Sequence, residues 1–165
     1  EANSWGGLVS YYGRRYDEAI EQEKRALEID PNYWIAHYTL GWIYLQKGQT
    51  REAIAALQKS AELSGLSMGI APLGYAHGKS GNRAEAMKIL ADLKERSKHG
   101  IVAPYDIAIV YFGLGDKEQG YAWLEKAVEA RSWWVPFIKA EPWMDPLRSE
   151  PRFQAILRNM NFPQQ

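Results

Sequence analysis

The chain has 165 residues, its 20 Lys plus Arg are matched by 20 Asp plus Glu, and it contains no cysteine. A balanced charge gives no bulk field to draw nucleic acid or an anionic membrane, and the missing thiols exclude disulfides, thiol nucleophiles and thiolate metal sites. The length is enough for one domain with a sizeable core. The most apolar run, Ile101 to Leu114, is short of the roughly 18 residues of a membrane helix and is broken by Pro104 and Asp106.

Small residues recur along the chain in a fixed pattern: Gly7, Arg14, Ala19; Gly41, Gly48, Ala53; Gly74, Gly81, Ala86; and Ala108, Gly115, Gly120. Successive copies lie 34, 33 and 34 residues apart. Taken in order, the pattern predicts pairs of helices. The first pair falls near 4–12 and 16–30 and is degenerate in its front half, where Asn3, Gly6, Gly7 and Ser10 stand. The others fall near 33–47 and 50–63, 68–80 and 83–98, and 102–114 and 117–131. In each pair the small residues let the first helix, A, approach the second, B. Larger side chains fill the gap: Leu40 and Tyr44 against Leu57, Leu73 against Leu90, Ile107 and Tyr111 against Leu124. Gly48, Gly81 and Gly115 stand where a helix end wants positive φ. Gln49-Thr50, Asn82 and Asp116 follow as candidate N-caps, and Pro31 ends the first B helix.

The pattern resembles the tetratricopeptide repeat, W-x2-L-G-x2-Y, then A-x3-F, then P. The second copy reads His37, Leu40, Gly41, Tyr44, Ala53, Leu57. The third reads Ile70, Leu73, Gly74, His77, Ala86, Leu90, and the fourth Pro104, Ile107, Ala108, Tyr111, Gly120, Leu124. The first keeps Ala19 and Pro31 but has Glu23 where an aromatic is expected. The resemblance implies an all-α, right-handed α-solenoid of four repeats over residues 1–134 (about 1–33, 34–66, 67–100 and 101–134). A C-terminal cap of short helices follows over 135–165.

From Ser132 the period stops. Asp145-Pro146 and Glu150-Pro151 each read as a helix start with proline in the first turn. Phe153, Ile156, Leu157 and Met160 then form one apolar stripe. A solenoid needs terminal caps, so this helix with the Trp133-Trp134 region is expected to cap the fourth repeat; the alternative is a tail folded into the groove. The run from Asp145 to Phe153 also resembles the C-terminal end of long bacterial signalling proteins, in which such repeats follow a kinase, winged-helix or cyclase domain. No signal peptide is visible, which leaves a cytoplasmic setting as the expectation. The chain opens without Met inside a degenerate repeat, as a piece of a longer or processed protein would.

A second apolar stripe runs along the A helices, on the face that lines the concave groove in the tetratricopeptide family. It comprises Tyr11 and Tyr12, then Tyr38, Trp42 and Leu45, then Tyr75 and Lys79, then Tyr105, Ile109 and Phe112. A helix apolar nearly all round is normally buried all round. The groove therefore either receives a partner or is filled by neighbouring A helices. Only Lys79 on this face suits an anion, so an apolar or aromatic peptide is the expected ligand, not a C-terminal carboxylate. Self-association and a small-ligand sensor role are the alternatives. His37, His77 and His99 lack metal spacing, and His37 and His77 read as packing residues. Lys94, Arg96, Lys98 and His99 read as a solvated basic face. No phosphate loop or nucleophile elbow is present, so neither a cofactor nor an enzymatic activity is expected.

Overall fold

The computed structural model describes residues 6–132 and 134–160. Asn3, the start of the first predicted helix at residue 4, and Trp133 lie outside the described residues. Four helical hairpins follow one another: α1 (Gly6–Tyr12) with α2 (Tyr16–Ile29), α3 (Trp34–Gln46) with α4 (Thr50–Ser64), α5 (Ser67–Lys79) with α6 (Arg83–Ser97), and α7 (Pro104–Gly113) with α8 (Lys117–Glu129). There is no strand among the described residues. The helix ends fall within three residues of those read from the sequence.

The hairpin turns show why. Gly48, Gly81 and Gly115 have φ of 71°, 83° and 78°, the left-handed region that glycine enters without a Cβ clash. The chain then closes the ends of α3 and α7: the Gln49 N–H donates to the Tyr44 carbonyl at 2.8 Å and the Asp116 N–H to the Tyr111 carbonyl at 3.0 Å, a Schellman arrangement. The first hairpin makes the same turn with Arg14 at φ 58°, and the Arg15 N–H donates to the Ser10 carbonyl at 2.9 Å. Asn82 and Asp116 cap their B helices, accepting from the Glu85 and Gln119 N–H groups at 3.4 and 3.1 Å. Gln49, expected to do the same, makes no capping bond; its longer side chain is not among those that reach the first-turn N–H groups well.

Small residues seat the helices on one another. A Cβ on Gly41 would collide with the Leu57 side chain, and one on Gly120 would meet the Phe112 ring at 2.9 Å. Gly74 serves two neighbours, Ile89 of its own hairpin at 3.0 Å and Val110 of the next at 2.9 Å. Gly7 leaves room for Glu23, which is buried. Its carboxyl is pushed up to about 7 by burial, partly offset by the Thr39 side chain. Sequence reasoning missed one close approach. A Cβ on Gly78 would meet the Gly113 backbone at 2.5 Å, so these two glycines bring α5 and α7 into backbone contact and narrow the groove there.

After α8 the chain leaves the repeat geometry. It makes a 3-10 turn at Val135–Phe137, a second at Pro142–Leu147, and a last helix, α9 (Pro151–Asn159). The helix start expected at Pro151 is found. The one expected at Asp145-Pro146 is not, because the turn already begins at Pro142 and carries Pro146 inside it. Proline has no N–H to give but its fixed φ suits a tight turn. α9 lies along α8: Arg152 is bidentate to Glu125 at 2.9 and 3.0 Å and pairs with Glu118 at 2.9 Å. Tyr121 donates to Glu150 at 2.9 Å. Phe153 and Ile156 are buried beneath. No helix among the described residues is long and apolar enough to cross a membrane.

Candidate functional site

Stacked hairpins put the four A helices side by side, so the second apolar stripe becomes one continuous concave surface. Tyr38 and Trp42 come from α3, Tyr75 from α5, and Tyr105, Ile109 and Phe112 from α7. All are buried, Trp42 to 1% exposure. Tyr11 of α1 is buried as well, against Tyr12 and Tyr16 at 5.4 and 6.3 Å between ring centres. The tail as well as the adjacent A helices covers this face.

Trp143, in the second 3-10 turn, inserts among the groove aromatics. Its ring stacks on Trp42 at 5.8 Å with 12° between planes. It meets Tyr75 at 5.4 Å and Phe112 at 5.8 Å, both tilted. Three successive A helices thus each contribute one ring to a cage around one tail residue, which is left 3% exposed. Pro142, Met144 and Leu147 are buried beside it. Aromatic pairs in such tilted and offset arrangements add about 0.5–1.5 kcal/mol each beyond area burial.

The fourth contact is with the first repeat. Phe137 stacks on Tyr12 at 6.0 Å, and the Tyr12 hydroxyl donates to the Glu141 carboxylate at 3.0 Å. Glu141 is buried, and burial pushes its carboxyl up to about 7, against the Tyr12 hydrogen bond and the charge of Arg148. Burial in turn raises the hydroxyls of Tyr11, Tyr38 and Tyr105 well above the ordinary phenol value, with Glu141 the next contributor to each. Arg14 clamps Asp145 with its Nε at 3.1 Å and one terminal nitrogen at 2.6 Å. The tail therefore touches all four repeats and ties the first to the last.

The remaining residues read from the sequence sit at the margins. Leu45 is half-buried and packs with the Leu57, Leu73 and Ala76 cluster as well as with the main core. Lys79 is exposed, with its ammonium 5.7 Å from the Tyr75 ring. Arg14 adds a second cation to the groove rim, where sequence reasoning counted Lys79 alone. Its signal was present in the sequence, an arginine in the register position that is glycine in the other three repeats. Trp143 had no such signal, since a proline-flanked aromatic after the last repeat reads equally as a cap. The basic residues at the end of α6 are engaged locally: Arg96 donates to the Gly65 carbonyl at 3.0 Å and pairs with Asp92 at 3.4 Å. Among the described residues no cluster of histidine and carboxylate side chains is arranged to hold a metal.

Geometry thus defines an α-solenoid of helical hairpins with an aromatic concave face. Models of the tetratricopeptide repeat match residues 13–63 and 105–132, so these stretches are tetratricopeptide repeats. The α5–α6 hairpin between them has the helix lengths of α3–α4, 13 and 15 residues, and the glycine turn of α3–α4 and α7–α8. No curated protein matches the chain. Repeats of this class generally mediate protein–protein interaction and are generally non-catalytic scaffolds, binding proteins or peptides.

Proposed function

We propose that this chain is an interaction module whose concave groove receives an apolar or aromatic segment, as the recognition arm of a larger regulatory protein. The observation that carries the reading is the Trp143 cage. Rings from α3, α5 and α7 close around a tryptophan that is not part of any repeat. A solenoid that needed only a cap would be served by α9 on α8. A single deeply seated aromatic surrounded by lesser contacts is how peptide-binding surfaces concentrate affinity.

The test is fluorescence anisotropy with short Trp-bearing peptides and their Trp-to-Ser counterparts, on the full chain carrying Trp143→Ala. Binding of the Trp peptides, with hydrogen-exchange protection mapped to α3, α5 and α7, is the expected result. Binding indifferent to the tryptophan, or protection confined to the B helices, would reject the reading.

A further inference from the structure

The tail's seating shows more than that an aromatic fits, and its chemistry narrows what the groove selects. Arg14 is the first sign. Its equivalents Gly48, Gly81 and Gly115 occupy the left-handed region as glycines, and an arginine there costs the turn conformational energy, offset within the hairpin by one N–H donated to the Tyr12 carbonyl at 3.0 Å. What it provides is a guanidinium that grips Asp145 with two N–H groups, the planar geometry that reads a carboxylate. Trp143, two residues before Asp145, fills the cage. Pro142 and Pro146 bracket them and hold the segment in a ready-made 3-10 turn, which lowers the ordering cost of docking.

Pro142, Met144 and Leu147 are buried beside the ring, and the charged contacts around them are those of an exchangeable ligand. The Arg14–Asp145 pair is about two-fifths exposed on both sides, and Asp145 is also held by the tail's own Arg148 at 2.6 Å. Lys117–Glu150 is exposed on the lysine side. Such pairs steer and specify a partner more than they fix a core. Glu141 puts a carboxylate under the Tyr12 hydroxyl in the buried part of the contact.

We propose that the groove selects a segment in which tryptophan is followed two residues later by a carboxylate. Tail residues 141–147 are the resident copy of that signal, and the external occupant is a segment of another protein carrying the same Pro-Trp-x-Asp pattern, which enters by displacing the tail. This rests on the groove-binding reading and adds the carboxylate and the resident competitor to it.

The experiment uses the full chain carrying Trp143→Ala and labelled peptides of residues 139–148, with the native sequence or with Trp143→Ala or Asp145→Lys. The native peptide should bind, and the Trp143→Ala peptide should bind at least about 30-fold more weakly, as loss of a central aromatic anchor does. The Asp145→Lys peptide should lose about 2- to 5-fold, the range of an exposed ion pair, and recover when the chain also carries Arg14→Glu. The chain with its native tail should bind the native peptide more weakly than the Trp143→Ala chain does. If the Asp145→Lys peptide binds as the native one does, or Arg14→Glu fails to restore it, the carboxylate is not read and this proposal falls while the groove reading stands. If the Trp143→Ala peptide binds as tightly as the native peptide, both fall. A Trp143→Ala chain that dimerises through its groove would assign the occupant to a second copy and overturn the partner assignment. Should that variant not fold, Arg14→Glu and Asp145→Lys in the otherwise native chain give the same answer. Each alone should speed hydrogen exchange over residues 140–148 by about 2- to 5-fold and the pair should restore it; unchanged exchange in the single variants would overturn the proposal.

Discussion

Removing one side chain should separate the tail from the solenoid without dissolving the solenoid. Trp143→Ala deletes the ring that meets Trp42, Tyr75 and Phe112 and leaves a void bounded by three aromatics. A buried Trp-to-Ala change costs up to about 3–5 kcal/mol, but undocking of the tail caps the loss at its docking free energy; at about 2 kcal/mol and about 2–4 °C per kcal/mol for a chain of this length the melting midpoint should fall by about 4–8 °C. The helices are held by contacts that do not involve Trp143, such as Leu57 on Leu73 and Ala76 and Phe112 on Tyr121 at 5.2 Å. Repeat arrays are stabilised chiefly by neighbour contacts. Far-UV circular dichroism at 20 °C should therefore keep most of its helical signal, while hydrogen exchange should quicken over residues 134–147 and leave α4 and α6 protected. An unchanged midpoint with an unchanged tail would show that Trp143 does not anchor the segment. Loss of all helical signal would show that the tail is an integral part of the core, and the exchangeable-occupant picture would have to be abandoned.

Other outcomes follow from the same structure. Gly41→Leu should abolish or severely weaken folding, because any Cβ there enters the space of the Leu57 side chain; overpacking typically costs about 1–3 kcal/mol and backbone wedging more, and a variant melting within a few degrees of the parent would refute the packing argument. Arg14→Gly should leave global stability within about 1 kcal/mol, because relief of the left-handed arginine offsets the lost ion pair. It should nevertheless speed exchange at Asp145 and its neighbours; a variant with the tail as protected as before would show the clamp to be idle. Stability should rise as the pH is lowered from about 8 to about 5. Glu141 and Glu23 are raised to about 7 and Asp106 to about 6, all chiefly by burial. A carboxyl raised on folding contributes stability that is complete below its unfolded value and lost as the pH climbs through its folded one. Asp145, Glu125 and Glu150 are lowered by their Arg and Lys partners and act oppositely, only below the ordinary carboxylate range. Thermal melts across this window check the sign, and a midpoint that falls steadily from pH 8 to pH 5 would contradict it.

The solenoid was legible because its determinants are local and repeated. A glycine at each inter-helix turn and a small residue at each crossing recur at the same register, so each copy corroborates the others. Helix bounds followed almost to the residue. The groove stripe was legible for the same reason, as Trp42 and Tyr75 occupy corresponding positions one repeat apart. What fills the stripe was not. Residues 134–147 have no period, two short 3-10 turns and prolines that forbid a long helix, so the sequence offers no face to assign. Trp143 reaches rings 31, 68 and 101 residues away, and nothing local encodes such pairings. Arg14 sat in plain view as a break in the glycine register, yet its meaning depended on Asp145, which lies 131 residues further on. The Gly78–Gly113 approach was hidden differently. Gly78 falls outside the repeat pattern, and only the packing of α5 on α7 gives it a reason.

A resident occupant changes what affinity means for this groove. A tethered segment competes at an effective concentration in the millimolar range for a short link, and a partner is penalised by the fraction of time the groove is open. If the tail is docked 97% of the time, roughly 2 kcal/mol in its favour, a partner's apparent affinity falls about 30-fold below its intrinsic one. The tail's contacts are one caged ring with Pro142, Met144 and Leu147 buried beside it, the Phe137–Tyr12 stack, one buried carboxylate hydrogen bond and exposed ion pairs. Raising ionic strength should loosen the Arg14 and Lys117 pairs while leaving the Trp143 cage intact. Apparent partner affinity would then reflect two opposed salt effects, a looser competitor and a weaker carboxylate contact. For a partner that shares the tail's carboxylate these nearly cancel, whereas for a purely aromatic partner only the first operates and binding should tighten with salt. A titration in about 50 and 500 mM salt therefore distinguishes the two kinds of partner without any mutation.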